Sequence, residues 1–284
     1  MIVSASYKTD IPAFYSEWFM NRLHAGYCMV KSSYGGQNNR VSLLAKDVDG
    51  FVFWTRNIDP LAPYLPEIRE TAPFVVHMTI TNYPKALENS VIAVEKAIVD
   101  LRKIADIYGP KSVVWRYDPL FISPETPVDW HFENFSKLAQ KLNGVSDEVV
   151  VSFMQFYKKA DLNMLRDGIT WTNPLKAEKP AILERLAEIA SSNGFQLTLC
   201  TQPDLVSDKT PPARCIDATR IAAVGGKVFK SRVKGNRPGC LCAESRDIGR
   251  YDSCPHGCIY CYAVAGQHVA KGNYKIHNPL DEHL

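Results

Sequence analysis

Six runs along the chain are dense enough in β-branched and aromatic residues to predict strands. They are IVSAS (2–6), FVFWT (51–55), FVVHMTI (74–80), SVVWRY (112–117), VVVSFM (149–154) and FQLTLC (195–200). Between them the apolar spacing changes to three and four, which predicts helices. IPAFYSEWFMNRL (11–23) has Asp10 at a cap position, Pro12 in its first turn and Glu17 soon after. SVIAVEKAIVDLRKIADIY (90–108) stops at Gly109-Pro110, HFENFSKLAQKL (131–142) at Asn143-Gly144, and KPAILERLAEIASSN (179–193) at Gly194. A short extra element near YCMVK and a Gly35-Gly36 loop lie between the first helix and the second strand.

Strands alternating with helices of this length imply parallel βα units joined by right-handed crossovers. The expected fold is α/β: a parallel (βα)6-type, TIM-like full or partial barrel, with an open doubly wound sheet as the alternative. With no internal repeat and no low-complexity linker, residues 1–225 form the barrel. Residues 226–284 form a C-terminal cysteine-rich extension of the same structural unit, closing the C-terminal rim.

In such folds chemistry gathers at the C-terminal ends of the strands. Polar signatures stand there: SYKTD, TRN, TNY, RYDP, QFY and TQPD. Strand alternation separates two faces. Phe74, Val76, Met78 and Ile80 oppose Val75, His77 and Thr79; Val113, Trp115 and Tyr117 oppose Val114, Arg116 and Asp118. Likewise Ser4, Ser6 and Lys8 oppose Val3, Ala5 and Tyr7, and Gln196, Thr198, Cys200 and Gln202 oppose Phe195, Leu197 and Leu199. One face is apolar and belongs under helices. The other turns polar toward its C-terminal end, so the lumen is expected to receive a polar ligand at Ser4, Ser6, Thr55, Asn57, His77, Arg116, Asp118 and Gln202. Arg116 suits a carboxylate or phosphate because its fork binds such groups through two parallel bonds. Asp118 suits a ribose or an ammonium, or orients Arg116.

Composition changes this picture in two places. The net charge of +3 hides an uneven distribution: residues 207–250 carry ten Lys and Arg against four Asp and Glu. KVFKSRVKGNR (227–237) is the basic centre, either a solvated loop or a landing site for an anion. Of eight cysteines, five (Cys240, Cys242, Cys254, Cys258 and Cys261) fall in the 22 residues from 240 to 261. Met1 leads into IVSAS with no basic segment or cleavage site, and no run of about 18 apolar residues appears, so a soluble cytoplasmic protein is expected. Clustered cysteines in that setting read as metal or redox chemistry rather than disulfides.

Thiolates are soft donors that select zinc, copper(I) or iron–sulfur clusters. A structural zinc site takes four ligands, and Cys254 with Cys258, Cys261 and one of the CxC pair would supply them. Three cysteines spaced Cx3Cx2C instead leave one iron of a [4Fe–4S] cluster open for a substrate or cofactor.

Cys254-Pro-His-Gly-Cys258-Ile-Tyr-Cys261 resembles the radical S-adenosylmethionine motif, including the aromatic residue, Tyr260, before the third cysteine. Tyr262-Ala263 extends the likeness to the CYCYA ending of spore photoproduct lyase and its relatives. The resemblance implies a [4Fe–4S] cluster on Cys254, Cys258 and Cys261. It also implies S-adenosylmethionine on the open iron, reductive cleavage to a 5′-deoxyadenosyl radical, and an electron donor such as flavodoxin or ferredoxin. The whole chain also resembles an uncharacterised bacterial family, domain of unknown function 1848. That likeness runs through SASYKTDIPAFYSEWFMNRL (4–23), VFWTRN (52–57), WRYDP (115–119), CID (215–217) and CLCAESRDIGRYDSCPHGCIYCYA (240–263). The superfamily motif usually follows the first strand. Here it follows the sixth unit, as in a permuted arrangement whose C-terminal loop reaches the same rim.

Cys240 and Cys242 fit a second metal, a hydrogen-atom donor or a redox pair. Cys200 is a further donor candidate at the end of the sixth strand, although a small buried apolar role also explains it. Cys215 carries no role beyond the family likeness, and Cys28 reads as an ordinary thiol. The expected function is therefore an iron–sulfur, radical S-adenosylmethionine-type enzyme acting on an unidentified substrate, with a nucleotide or nucleic acid favoured by the basic tail. The rival is a zinc-stabilised binding module that engages an anionic partner such as nucleic acid. A hydrolase using His77 or His131 with a carboxylate is a third reading.

Overall fold

The computed structural model describes residues 1–31, 36–155 and 157–284. Gly35 of the expected Gly-Gly loop and Phe156 of QFY lie outside the described residues. The strands are β1 (Ile2–Ala5), β2 (Tyr27–Lys31), β3 (Asn38–Ser42), β4 (Gly50–Thr55), β5 (Phe74–Thr79), β6 (Val113–Leu120), β7 (Glu148–Phe153), β8 (Gln196–Leu199) and β9 (Ser245–Asp247). The helices are α1 (Ile11–Phe14), α2 (Ser16–Ala25), α3 (Leu65–Thr71), α4 (Val94–Tyr108), α5 (Val128–Leu142), α6 (Lys158–Arg166), α7 (Lys179–Ser192), α8 (Ala218–Gly225) and α9 (Gln267–Ile276). All six expected strands are present. The expected first helix is divided at Tyr15, whose backbone (φ −132°, ψ 27°) is not helical. No described helix is long and apolar enough to cross a membrane.

The main sheet runs β8-β7-β6-β5-β4-β1-β9, and its pairings are parallel. The element near YCMVK is β2, paired antiparallel with β3 in a separate hairpin. The sheet is open: β8 and β9 are its edges, so the full barrel of the sequence expectation is not closed by strand pairing. A three-residue β9 is the last strand among the described residues, and the chain between β8 and β9 forms helix α8 and irregular segments.

Neighbouring strands follow one another in sequence from β4 to β8, so successive right-handed crossovers place their helices on the same side. The larger apolar core lies there. It joins Val3, Phe51, Phe53, Phe74, Val76, Trp115 and Val149 of the sheet to Phe19, Leu101, Phe135, Leu138 and Leu186 of the helices. Trp115 stacks on Phe135 with ring centroids 4.9 Å apart.

The opposite face carries a smaller core of Ile2, Val52, Val75, Val114 and Val150. It is covered by α8 and by the segments around Ala213–Ile216 and Cys242–Ala243. Gly50 is small because Ile221 of α8 approaches to 2.4 Å of where its Cβ would stand. The alternation predicted for each strand is therefore the division between these two cores.

β9 ties the C-terminal extension to the sheet. The Asp247 carboxylate accepts hydrogen bonds from Ser4 Oγ (2.9 Å), Ser6 Oγ (2.9 Å) and the Tyr7 amide (3.1 Å), and it pairs with Lys8 Nζ at 3.5 Å.

Candidate functional site

The C-terminal ends of the strands open into a cavity of about 480 Å³. Strand ends supply Ser6, Thr55, Arg116, Asp118 and Ser152 to its wall, and the extension supplies Arg237, Tyr251 and seven-residue spaced thiols at Cys254 and Cys261. Cys200, Cys215, Cys240, Cys242 and Cys258 complete the sulfur lining. Two other cavities, of about 490 and 630 Å³, are lined by no cysteine.

The loop that carries Cys254, Cys258 and Cys261 is held by backbone and polar contacts to residues far away in sequence. Cys258 bridges to Glu88, the Ile259 amide donates to Leu87 O at 3.1 Å, and the Ser90 amide donates to His256 O at 3.0 Å. Gly257 is required at the turn. Its φ is +76°, and an added Cβ would lie 2.0 Å from Asn89 Oδ1. His256 Nε2 lies 2.7 Å from Asp10 Oδ2. Asp10 caps α1 through the Ala13 amide (3.0 Å), as its sequence position predicts, and also accepts the Arg56 amide at 2.7 Å. One carboxylate thus joins α1, the end of β4 and the cysteine loop.

Beside the loop lies a buried charge cluster. Arg56 Nη1 pairs with Glu88 Oε1 at 2.8 Å, and Arg56 Nη2 donates to Tyr260 Oη at 2.7 Å. The Tyr260 hydroxyl donates to Glu88, which also accepts from Thr81 Oγ1 at 2.8 Å. Burial opposes the Arg56 charge, but Cys258, Glu88, Tyr260 and Cys254 around it outweigh burial and hold the guanidinium protonated. The three loop thiols keep partial access to the cavity, yet burial pushes each of them up, Cys258 to about 12.

Across the cavity, Arg116 Nη2 pairs with Asp118 Oδ2 at 2.5 Å, and Asp118 Oδ1 accepts from Ser152 Oγ. Arg116 Nη1 donates to Cys215 Sγ at 3.1 Å. Its cation stands 5.0 Å from the Trp54 ring centroid. Cys240 is pulled down to about 6 by the hydrogen bond from Cys242, which outweighs its burial. Arg237 Nη1 donates to Tyr157 Oη at 2.7 Å, and Tyr157 lies against Tyr262 with ring centroids 5.2 Å apart.

The structure brings Cys200, Cys240, Cys242, Cys254, Cys258, Cys261, Ser6, Thr55, Arg116, Asp118 and Tyr260 to this cavity. Four expected lining residues are elsewhere. Ser4 is buried between Asp247 and Trp54 Nε1, from which it accepts at 3.0 Å. Asn57 turns into the following loop and accepts the Asp59 amide at 3.3 Å. His77 stacks on Trp54, ring centroids 4.8 Å apart, and burial holds it well below the usual histidine range. Gln202 spends its amide on the Phe153 backbone, accepting from N at 2.9 Å and donating to O at 3.0 Å. His131, the hydrolase candidate, lies between Tyr117 Oη (2.9 Å) and Phe121 O (3.0 Å), away from the cavity lining.

Sequence reasoning gave no site role to Glu88, Arg56 or Cys215, took Asp10 only as a cap, and named Arg237 only within the basic stretch. Arg56 stands inside the TRN strand end, which was a usable signal. Glu88 follows a strand end by several irregular residues and had none.

Among the described residues no group of three or more His, Cys, Asp or Glu side chains is drawn up to hold a metal ion. A family model described as "Domain of unknown function (DUF1848)" matches residues 2–263. No curated protein matches the chain.

Proposed function

The chain belongs to the DUF1848 family, and on that premise we propose that the strand-end cavity is the active site of an iron–sulfur enzyme of the radical S-adenosylmethionine type. The observation that carries this reading is the convergence of Cys254, Cys258 and Cys261 on one cavity with the buried Arg56 cation beside them. The donor set suits a cluster better than a single ion. Three soft thiols within the eight residues from 254 to 261 are donors of the kind that hold iron–sulfur clusters. The three cysteines would hold a [4Fe–4S] cluster which, with S-adenosylmethionine bound, would supply one-electron cleavage of a sulfonium.

The remaining work falls to the chain's own residues. Arg56 offsets negative charge at Cys258 and Cys254, and Glu88 with Tyr260 keeps it in place. Arg116, oriented by Asp118, binds a carboxylate or phosphate. Tyr157 and Tyr262 offer aromatic faces to a purine. A cavity of about 480 Å³ is within the size range of pockets for ligands of this kind. The architecture that suits the reading is a partial barrel, with the 213–243 segment occupying the interval that β8 and β9 leave open. A nucleotide-bearing substrate and a flavodoxin- or ferredoxin-type electron donor complete it.

The test is anaerobic purification, metal analysis, then reduction with dithionite in the presence of S-adenosylmethionine. The expected result is about four irons on the loop cysteines and slow release of 5′-deoxyadenosine and methionine, abolished by Cys258→Ala. Stoichiometric zinc with no iron after attempted reconstitution would turn the reading to a metal-stabilised binding module. The basic stretch weighs less for that module than its charge count implies, because Arg232 and Lys234 both pair with Glu244, at 2.5 and 2.9 Å.

A further inference from the structure

The cavity has a second group of thiols on its opposite wall. Cys200 follows β8, Cys215 precedes α8, and Cys240 and Cys242 come after the basic stretch. The fold strings their sulfurs together. Cys215 Sγ lies 3.6 Å from Cys200 Sγ, Cys215 is within side-chain hydrogen-bonding reach of Cys242, and Cys242 is within reach of Cys240. All four line the cavity, and all four are free thiols.

Three N–H donors point at these sulfurs. Arg116 Nη1 donates to Cys215 Sγ at 3.1 Å, the Ile216 amide to Cys242 Sγ at 3.3 Å, and Arg237 Nη2 to Cys200 Sγ at 3.7 Å. A neutral thiol is a weak acceptor, whereas a charged acceptor forms roughly twice as strong a bond. Ordinary burial of small apolar residues explains each thiol singly, but not donors converging on three of them. Soft sulfur donors gathered in this way select zinc, copper(I) or iron.

We propose that Cys200, Cys215, Cys240 and Cys242 form a second, four-thiolate soft-metal site, distinct from the group on the Cys254–Cys261 loop. Each ligating thiol gives its proton to solvent as the metal enters. Among the described residues these sulfurs are not gathered around one ion, so the site closes either by side-chain rotation around one ion or by spanning the corners of a cluster. Either way the chemistry is four sulfurs, three of which accept hydrogen bonds from N–H donors of Arg116, Ile216 and Arg237, contacts of the kind that orient metal ligands. The proposal does not depend on radical chemistry at the loop.

The experiment uses the full chain carrying Cys254→Ala, Cys258→Ala and Cys261→Ala, purified without oxygen. Iron and zinc are counted, and the metal-stripped protein is titrated with cobalt(II). The expected result is about one cobalt per chain, with a thiolate charge-transfer band of four-sulfur intensity. About one zinc, or about four irons, in the untreated variant then tells a single ion from a cluster. Adding Cys215→Ser and Cys242→Ser should abolish the band.

Because that five-fold variant could fail to fold, Cys240→Ser is made alone in the same background at a half-buried position. It should lower the band by about a quarter, one thiolate of four. A triple variant with native circular dichroism and no cobalt–thiolate band overturns the proposal, whatever iron the unaltered protein holds. A band that survives Cys240→Ser at full intensity does so as well. Retention of metal here with no iron on the loop would sink only the reading of the loop.

Discussion

The two thiol groups face one cavity but are held by different forces. The loop group hangs on directional polar contacts: the Arg56–Glu88 pair, the Tyr260 hydroxyl and the Asp10–His256 contact. Beneath it is a small apolar patch that includes Tyr83, Leu87, Phe121, Met154 and Ile259. The wall group is set into the inner-face core, where Cys200, Cys215 and Cys242 pack in one cluster with Val75, Val114, Val150 and Ile216. Polar anchors fail abruptly when one partner is removed, because the other is left buried and unpaired. Apolar packing fails in proportion to the volume lost. The loop should therefore be separable from the sheet, and the wall should not.

The strongest test is Glu88→Ala. It leaves Arg56 buried without its carboxylate and should cost about 3–5 kcal/mol, read as a fall in the urea-unfolding free energy. A cost below about 1 kcal/mol would break the comparison, since the loop would then rest on its apolar patch.

Acid should weaken the loop side next. His131 accepts or donates between Tyr117 and Phe121, and Phe121 stacks on Tyr260 of the loop. Burial holds His131 down to about 4 from 6.5. Its folded pKa lies below its unfolded one, so the unfolded chain takes up the proton first. The stability it contributes is complete above the unfolded value and is lost as pH falls toward the folded one. Between about pH 7 and about pH 5 this is roughly 2 kcal/mol. His131→Gln should flatten the acid limb of a stability–pH profile by that amount; an unchanged limb would count against it.

Gly257→Ala follows, at about 1–2 kcal/mol, from a left-handed backbone and the crowding of Asn89. Hydrogen exchange should rise in residues 252–263 and stay unchanged in β5 and β6. Exchange rising equally in the strands would show that loop and sheet open together. The smallest effect is a contrast between two conservative changes. In metal-free protein Cys242→Ser should cost about 1 kcal/mol more than Cys261→Ser, because Cys242 is buried in an apolar core whereas Cys261 keeps partial access to the cavity. Equal thermal midpoints would erase the distinction between wall and loop.

The strands were legible because each concentrates β-branched and aromatic residues over a length that only an extended segment can bury on both sides. Their alternation also assigned faces correctly: Trp115 went to the helix side and Val114 to the other. Helices on the outer face were legible for a similar reason, since α4, α5 and α7 repeat an apolar stripe. Strands β3 and β9 and helices α3, α6, α8 and α9 were not, each being ten residues or fewer. In the cavity, alternation named Arg116 and Asp118 but over-reached at Gln202 and His77. Facing inward does not tell whether a polar side chain will meet space, a backbone group or an aromatic ring.

By itself the sequence determined the parallel α/β order of elements, the two faces of each strand and the local spacing of Cys254, Cys258 and Cys261. Each of these depends on neighbours within a few residues, where chain geometry leaves little choice. Tertiary structure decided whether the sheet closes, which strand end Arg56 would turn toward Glu88, and that Cys200 and Cys215 would meet Cys240 and Cys242. Those side-chain contacts join residues 25 to 42 positions apart. Their pairing is chosen by how strands, helices and the C-terminal extension pack, which no local pattern encodes.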